Sequence, residues 1–229
     1  MILHIVIIII LALACLLCGV RFIKAMEEDD QEKATILKGL TTVCCIIIAI
    51  VAYHMTDSPR FGMLVILGLV FGFIGDELLA LRFVYTDKFN TYFLTGAGGF
   101  LVGHIFYLIA LYGIAPKAWI IAAPLTAVAL VIELINSKKH KLDMGKLFLP
   151  LGFYAAVVCF MGCSAIGACC FSFSAGTLLF AIAGVCFIAS DSILSVQCFS
   201  DHPSNFKNRL LHVFYWTAQL LIALTPLFF

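Results

Sequence analysis

Two aspartates lie inside membrane-length apolar runs: Asp76 in GFIGDELLAL and Asp191 in FIASDSILSV. A charged side chain in hydrocarbon costs about 3 kcal/mol even on lenient insertion scales, so such residues usually face a wet cavity and work there. The chemistry open to two carboxyls is proton transfer. They can act as a general acid–base pair around a bound substrate, or as a relay that couples protons to a solute. The two acids share a local pattern: Asp, any residue, aliphatic, Leu, small, aliphatic, running Asp76 to Leu81 and Asp191 to Val196.

Other polar side chains lie in neighbouring apolar runs. His104 and Tyr107 lie in HIFY, and His212, Tyr215 and Gln219 lie in HVFYWTAQ. Tyr107 is one turn from His104, and Tyr215 and Gln219 are at i,i+4, so each pair shares a helix face. Ser190 precedes Asp191, and Lys38, Thr41 and Thr42 open an earlier apolar run. Glu77 points about 100° away from Asp76 around a helix, toward either the headgroups or the cavity. His104 suits a helix-to-helix linker better than a metal ligand. His4, His54, His140 and His202 fall at run ends or in loops and are read as uninvolved.

The elements that must position these groups are transmembrane helices. The chain is 63% hydrophobic and 12% charged, with mean hydropathy +1.12; soluble domains carry about 25% charged residues. The fold class is therefore all-α: a polytopic membrane protein, one transmembrane helical domain over residues 1–229. Eight spans are predicted, at about 2–20, 35–54, 61–82, 91–113, 117–135, 147–167, 174–197 and 209–228, each long enough to cross about 30 Å of hydrocarbon. The N-terminal run lacks a basic n-region and is long for a signal h-region, so a retained first helix is expected. The net charge of +1 gives no reason to expect nucleic acid as a partner.

Twelve of the fourteen Lys and Arg residues fall between spans one and two, three and four, five and six, or seven and eight; the other two are Arg60 and Lys117. The positive-inside rule then places both termini on the non-cytoplasmic side. Asp76 and Asp191 fall in the cytoplasmic half of spans three and seven. The run Lys138, Lys139, Lys141 and Lys146 is read as a topology signal. Gly68 and Gly72, and Gly96, Gly99 and Gly103, have the spacing that lets helices pack closely.

The two HxFY strings, each after an acidic span, fit a repeat of two four-helix units. Unequal spacing counts against it: twenty-eight residues separate Asp76 from His104, but twenty-one separate Asp191 from His212. Most of the ten cysteines lie in or beside apolar runs, where they behave as small apolar residues. No disulfide framework or zinc-thiolate site is expected.

Three stretches give the chain a family likeness. The first is Gly75-Asp76-x-x-Leu79, followed by Phe93-x-x-Gly96-x-x-x-Phe100-x-x-Gly103-His104-x-x-Tyr107. The second is Ser190-Asp191 with Phe199 downstream, and the third is Tyr215-x-x-x-Gln219-x-Leu221-Ile222. In these it resembles the YhhN-type membrane proteins, the group that contains lysoplasmalogenase. A Lys-x-x-Thr-Thr string, Lys38 to Thr42, resembles the family's start of the second span, although Gly39 stands where the family often has Pro. The resemblance implies an eight-helix hydrolase that cleaves the vinyl ether bond of lysoplasmalogens, with its two aspartates at Asp76 and Asp191.

Vinyl ether hydrolysis needs an acid to protonate the β-carbon and a carboxylate to offset the oxocarbenium ion and activate water, as glycosidases do with two carboxyls. Asp76 and Asp191 are the candidate pair, in either order. Lys38, Thr42, His104, Tyr107, Ser190, Tyr215 and Gln219 are candidates to bind substrate or orient the carboxyls, with Lys38 placed to attract the substrate phosphate. The expected partners are a lysophospholipid and the bilayer; no cofactor or metal is expected. Two rivals remain. One is a proton-coupled transporter of a small or lipid-like solute. The other is a metal hydrolase of the alkaline ceramidase type using His104, His212 and an Asp, which lacks three well-spaced histidines.

Overall fold

The computed structural model describes residues 2–201 and 203–229. Among these are eight α-helices and no strand: α1 (Ile2–Glu27), α2 (Gln31–Tyr53), α3 (Pro59–Val84), α4 (Phe89–Ile114), α5 (Trp119–Lys139), α6 (Phe148–Phe171), α7 (Ala175–Phe199) and α8 (Asn205–Leu224). All eight are long and apolar enough to cross a membrane.

The predicted spans match in number and order, while the helices overrun them. α1 continues through Arg21 and Lys24 to Glu27, and α8 starts at Asn205. Hydropathy marks the hydrocarbon-facing length, whereas a helix ends where its terminal amides and carbonyls find other partners. The starts carry such partners. Asp30 accepts from the Lys33 amide at 3.1 Å, Ser204 from the Lys207 amide at 3.2 Å, and Ser174 and Thr177 form a reciprocal capping box. Pro59 occupies the first turn of α3, where its missing N–H costs nothing. Asp29, at φ 58°, turns the chain between α1 and α2.

Short connections alternate the helix directions, and three contacts tie the ends together. Arg209 at the start of α8 pairs with Glu27 at the end of α1. The Asp143 amide donates to the carbonyl of Phe199 at the end of α7, at 2.9 Å. At the opposite end, the Asp57 amide donates to the carbonyl of Phe229, also at 2.9 Å.

Helix neighbours recur with a shift of four. α2–α3 corresponds to α6–α7, α3–α4 to α7–α8, and α4–α6 to α8–α2. Glycines set the closest contacts. A Cβ on Gly99 would lie 2.9 Å from the Gly75 Cα, one on Gly103 would lie 2.8 Å from the Gly68 carbonyl oxygen, and one on Gly184 would lie 2.6 Å from the Gly162 Cα. The backbones of α3 and α4, and of α6 and α7, thus touch directly, the usual way apolar helices associate in lipid. Gly75, which holds α3 against α4, directly precedes Asp76. α5 is peripheral, with only Ala122 and Thr126 buried.

Candidate functional site

Asp76 is the eighteenth residue of α3 and Asp191 the seventeenth of α7. The helices run in parallel, so the acids lie at one depth. Both line a cavity of about 630 Å³. Its walls reach Leu142 and Met144 at the α5–α6 connection and Pro203 at the α7–α8 connection, so it extends to the end of the bundle with the twelve-residue basic set. Phe93, Phe100, Leu151 and Val158 make much of the remaining wall apolar.

Asp76 is 1% exposed and is held from two helices. Lys38 Nζ of α2 lies 2.8 Å from Oδ1. The Thr42 hydroxyl donates to Oδ2 at 2.9 Å, and the Tyr215 hydroxyl of α8 donates to the same oxygen at 2.5 Å. Gln219 Nε2 donates to the Tyr215 oxygen at 2.6 Å. Lys38 and Thr42 are i,i+4 on α2, as Tyr215 and Gln219 are on α8, so one helix face delivers each pair. Two hydroxyl donors on Oδ2 and an ammonium beside Oδ1 thus converge on one carboxyl group, whose oxygens are natural acceptors.

Asp191 is held differently. The Tyr154 hydroxyl of α6 donates to its Oδ2 at 2.7 Å, and the acid has no ion pair among the described residues. Ser190 beside it is buried and also lines the cavity.

The structure therefore gathers Lys38, Thr42, Asp76, Tyr215 and Gln219 into one hydrogen-bonded group and places Ser190 and Asp191 on the same cavity. It alters the expectation for Lys38. The ammonium expected to meet a substrate phosphate is committed to Asp76, because a buried carboxylate needs a partner. His104 and Tyr107 lie outside the cavity wall. Tyr107 fills the space over Gly68, whose Cβ would fall 2.1 Å from the ring. His104 Nδ1 bonds the Phe100 carbonyl at 2.9 Å, and its ring lies behind Tyr154 at 6.2 Å between centroids. His212 lines the cavity and bonds the Asn208 carbonyl at 2.8 Å. Among the described residues, no three His, Cys, Asp or Glu side chains converge as a metal-binding group. Glu77 turns to α2, where a Cβ on Gly39 would meet its carboxyl oxygen at 2.7 Å; that contact gives Gly39 a role of its own. His202 lies outside the described residues.

Three wall residues were not singled out for chemistry in the sequence. Tyr154 is thirty-seven positions from Asp191, and no spacing rule links them. Glu133 accepts from the Ser192 hydroxyl; it is itself an acid in an apolar run, VIELI, and that signal was available. In the sequence Arg82 is a basic residue at a span end and signals only topology, yet its side chain is buried on the cavity wall.

Eight apolar helices around a largely apolar, acid-bearing cavity define an integral multi-pass membrane protein with a candidate binding site inside the bundle. The YhhN family model matches residues 33–225, and the chain belongs to that family. A search of curated proteins found no match, and neither did a search of solved structures.

Proposed function

We propose that this protein is a hydrolase of single-chain ether lipids. It cleaves the vinyl ether bond of lysoplasmalogens to a fatty aldehyde and glycerophosphocholine or glycerophosphoethanolamine. The observation that carries this reading is the pair of carboxyls, from α3 and α7, on one largely apolar cavity of about 630 Å³, within the usual range for a small-molecule site. Membership of the YhhN family is consistent with a hydrolase.

The two acids differ in surroundings, which supports giving them different roles. Asp191 carries the transferable proton, with Tyr154 orienting Oδ2. It protonates the vinyl β-carbon, leaving an oxocarbenium ion. The ionised Asp76, fixed by Lys38, Thr42 and Tyr215, supplies negative charge in a low-dielectric wall, where preorganised charge is most effective. Water adds to the cationic carbon and returns a proton to the Asp191 carboxylate. The resulting hemiacetal then breaks its C–O bond to give aldehyde and alcohol. The carboxyls and the cavity face the cytoplasmic side, with both termini on the other side, as the basic residues indicate.

The test is aldehyde release from a lysoplasmalogen by purified protein in detergent, run beside Asp191→Asn and a matched ester lysolipid. Aldehyde from the wild type alone, with the ester intact, supports the reading. Well-folded protein that releases no aldehyde refutes it, and proton-coupled solute uptake into proteoliposomes would then favour a carrier.

A further inference from the structure

Among the described residues, two cations line the cavity, Lys38 and Arg82. Lys38 is taken by Asp76. Arg82, in the last turn of α3, is 7% exposed. Its Nε and Nη1 are buried with no hydrogen-bond partner, and no acid pairs with it among the described residues. Its guanidinium carbon lies 4.6 Å from the Phe83 ring centroid and 5.3 Å from that of Phe93.

A basic residue that only marks the inner face of a membrane extends its charge to the headgroups. Arg82 turns inward instead, while the next two residues, Phe83 and Val84, are exposed. Ring contacts offset part of the cost of burial but leave the N–H donors unsatisfied. Unused donors on a side chain that lines a cavity with no other free cation among the described residues match the oxygens of a phosphate.

We infer that Arg82 is the receptor for the phosphate of the bound lipid; this rests on the lipid-hydrolase reading. The geometry fits. Arg82 is six residues beyond Asp76, about 9 Å along the helix axis toward the end of the bundle. From phosphorus to the vinyl β-carbon, a lysoplasmalogen spans roughly 8 Å when extended, judged from the reach of an extended chain. The two lengths are comparable, so a phosphate on Arg82 brings the reacting carbon toward the depth of the two carboxyls, with the alkenyl chain continuing deeper. Arg82 also gives a reason to prefer a phosphate-bearing lipid over a neutral glycerol ether.

The experiment compares binding of an ester lysophospholipid and a monoacylglycerol of the same chain length to wild type, Arg82→Gln and Arg82→Lys, by ligand-dependent thermal stabilisation in neutral detergent. Glycerophosphocholine and inorganic phosphate serve as soluble probes. The wild type is expected to bind the lysophospholipid about tenfold more tightly or better, charge-assisted hydrogen bonds being the strong ones. Arg82→Gln is expected to bring the two lipids within about twofold, and Arg82→Lys to keep part of the gap. Equal binding by the wild type, or an undiminished gap in Arg82→Gln, overturns the assignment. Should Arg82→Gln fail to fold, the wild-type preference and Arg82→Lys decide. If inorganic phosphate or glycerophosphocholine stabilises the wild type as strongly as the lysophospholipid, the site takes a free phosphate and the lipid assignment falls. Binding is read without turnover, so protein that prefers the lysophospholipid through Arg82 but releases no aldehyde keeps the anion site and loses the hydrolase reading.

Discussion

Lys38 Nζ and Asp76 Oδ1 lie 2.8 Å apart in the wall of the cavity, with the lysine side chain 13% exposed and the aspartate 1%. The ion pair joins α2 to α3, and the Tyr215 hydroxyl brings α8 to the same carboxylate. One acid thereby holds three helices and keeps a negative charge in place.

That pair predicts an asymmetric cost. Lys38→Met leaves Asp76 buried without its cation, which costs about 3–5 kcal/mol where a buried pair is broken from one side. Adding Asp76→Asn should recover most of the lost stability. Thermal unfolding of the single and double variants in detergent measures this. A Lys38→Met protein as stable as the wild type would mean that the pair does not hold the helices.

Asp191 and its tyrosine should separate chemistry from positioning. Asp191→Asn removes the proposed proton donor and is expected to lower kcat for aldehyde release by about 10³-fold, within the usual range for general acid catalysis. Tyr154→Phe removes only the orienting hydrogen bond. It should lower kcat about tenfold with little change in KM. If Tyr154→Phe raises KM and leaves kcat intact, the hydroxyl touches substrate rather than Asp191.

Helix packing gives a prediction independent of function. A methyl at Gly99 would strike the Gly75 backbone at 2.9 Å, whereas one at Gly98 meets nothing within 4 Å. Gly99→Ala should therefore destabilise by about 1–3 kcal/mol, as overpacking does. Gly98→Ala should be neutral or stabilising by up to about 1 kcal/mol, from helix propensity. Comparable unfolding temperatures for the two variants would count against direct contact of α3 and α4.

Orientation is testable at Cys170, which is exposed at the end of α6, at the same end of the bundle as the termini. With the basic connections in the cytoplasm, a membrane-impermeant maleimide should label Cys170 from the non-cytoplasmic face, and Cys170→Ser should remove that label. Labelling only from the cytoplasmic face would reverse the orientation and move the cavity to the other side.

The order of apolar runs along the chain determined the class, the number of helices and their sequence. Apolar runs of membrane length have no alternative to spanning, because every backbone N–H and C=O must be satisfied within a helix. Rare ionisable residues in those runs also stand out, so Asp76 and Asp191 are visible at once, and helical spacing joins His104 to Tyr107 and Tyr215 to Gln219. Spacing within one helix is silent about rotation and about partners on other helices. Only the tertiary structure pairs Lys38 with Asp76, sets Tyr154 on Asp191 and turns Arg82 inward. Only the packing places His104 and Tyr107 behind the wall, since their orientation depends on how closely Gly68 and Gly103 let α3 and α4 approach.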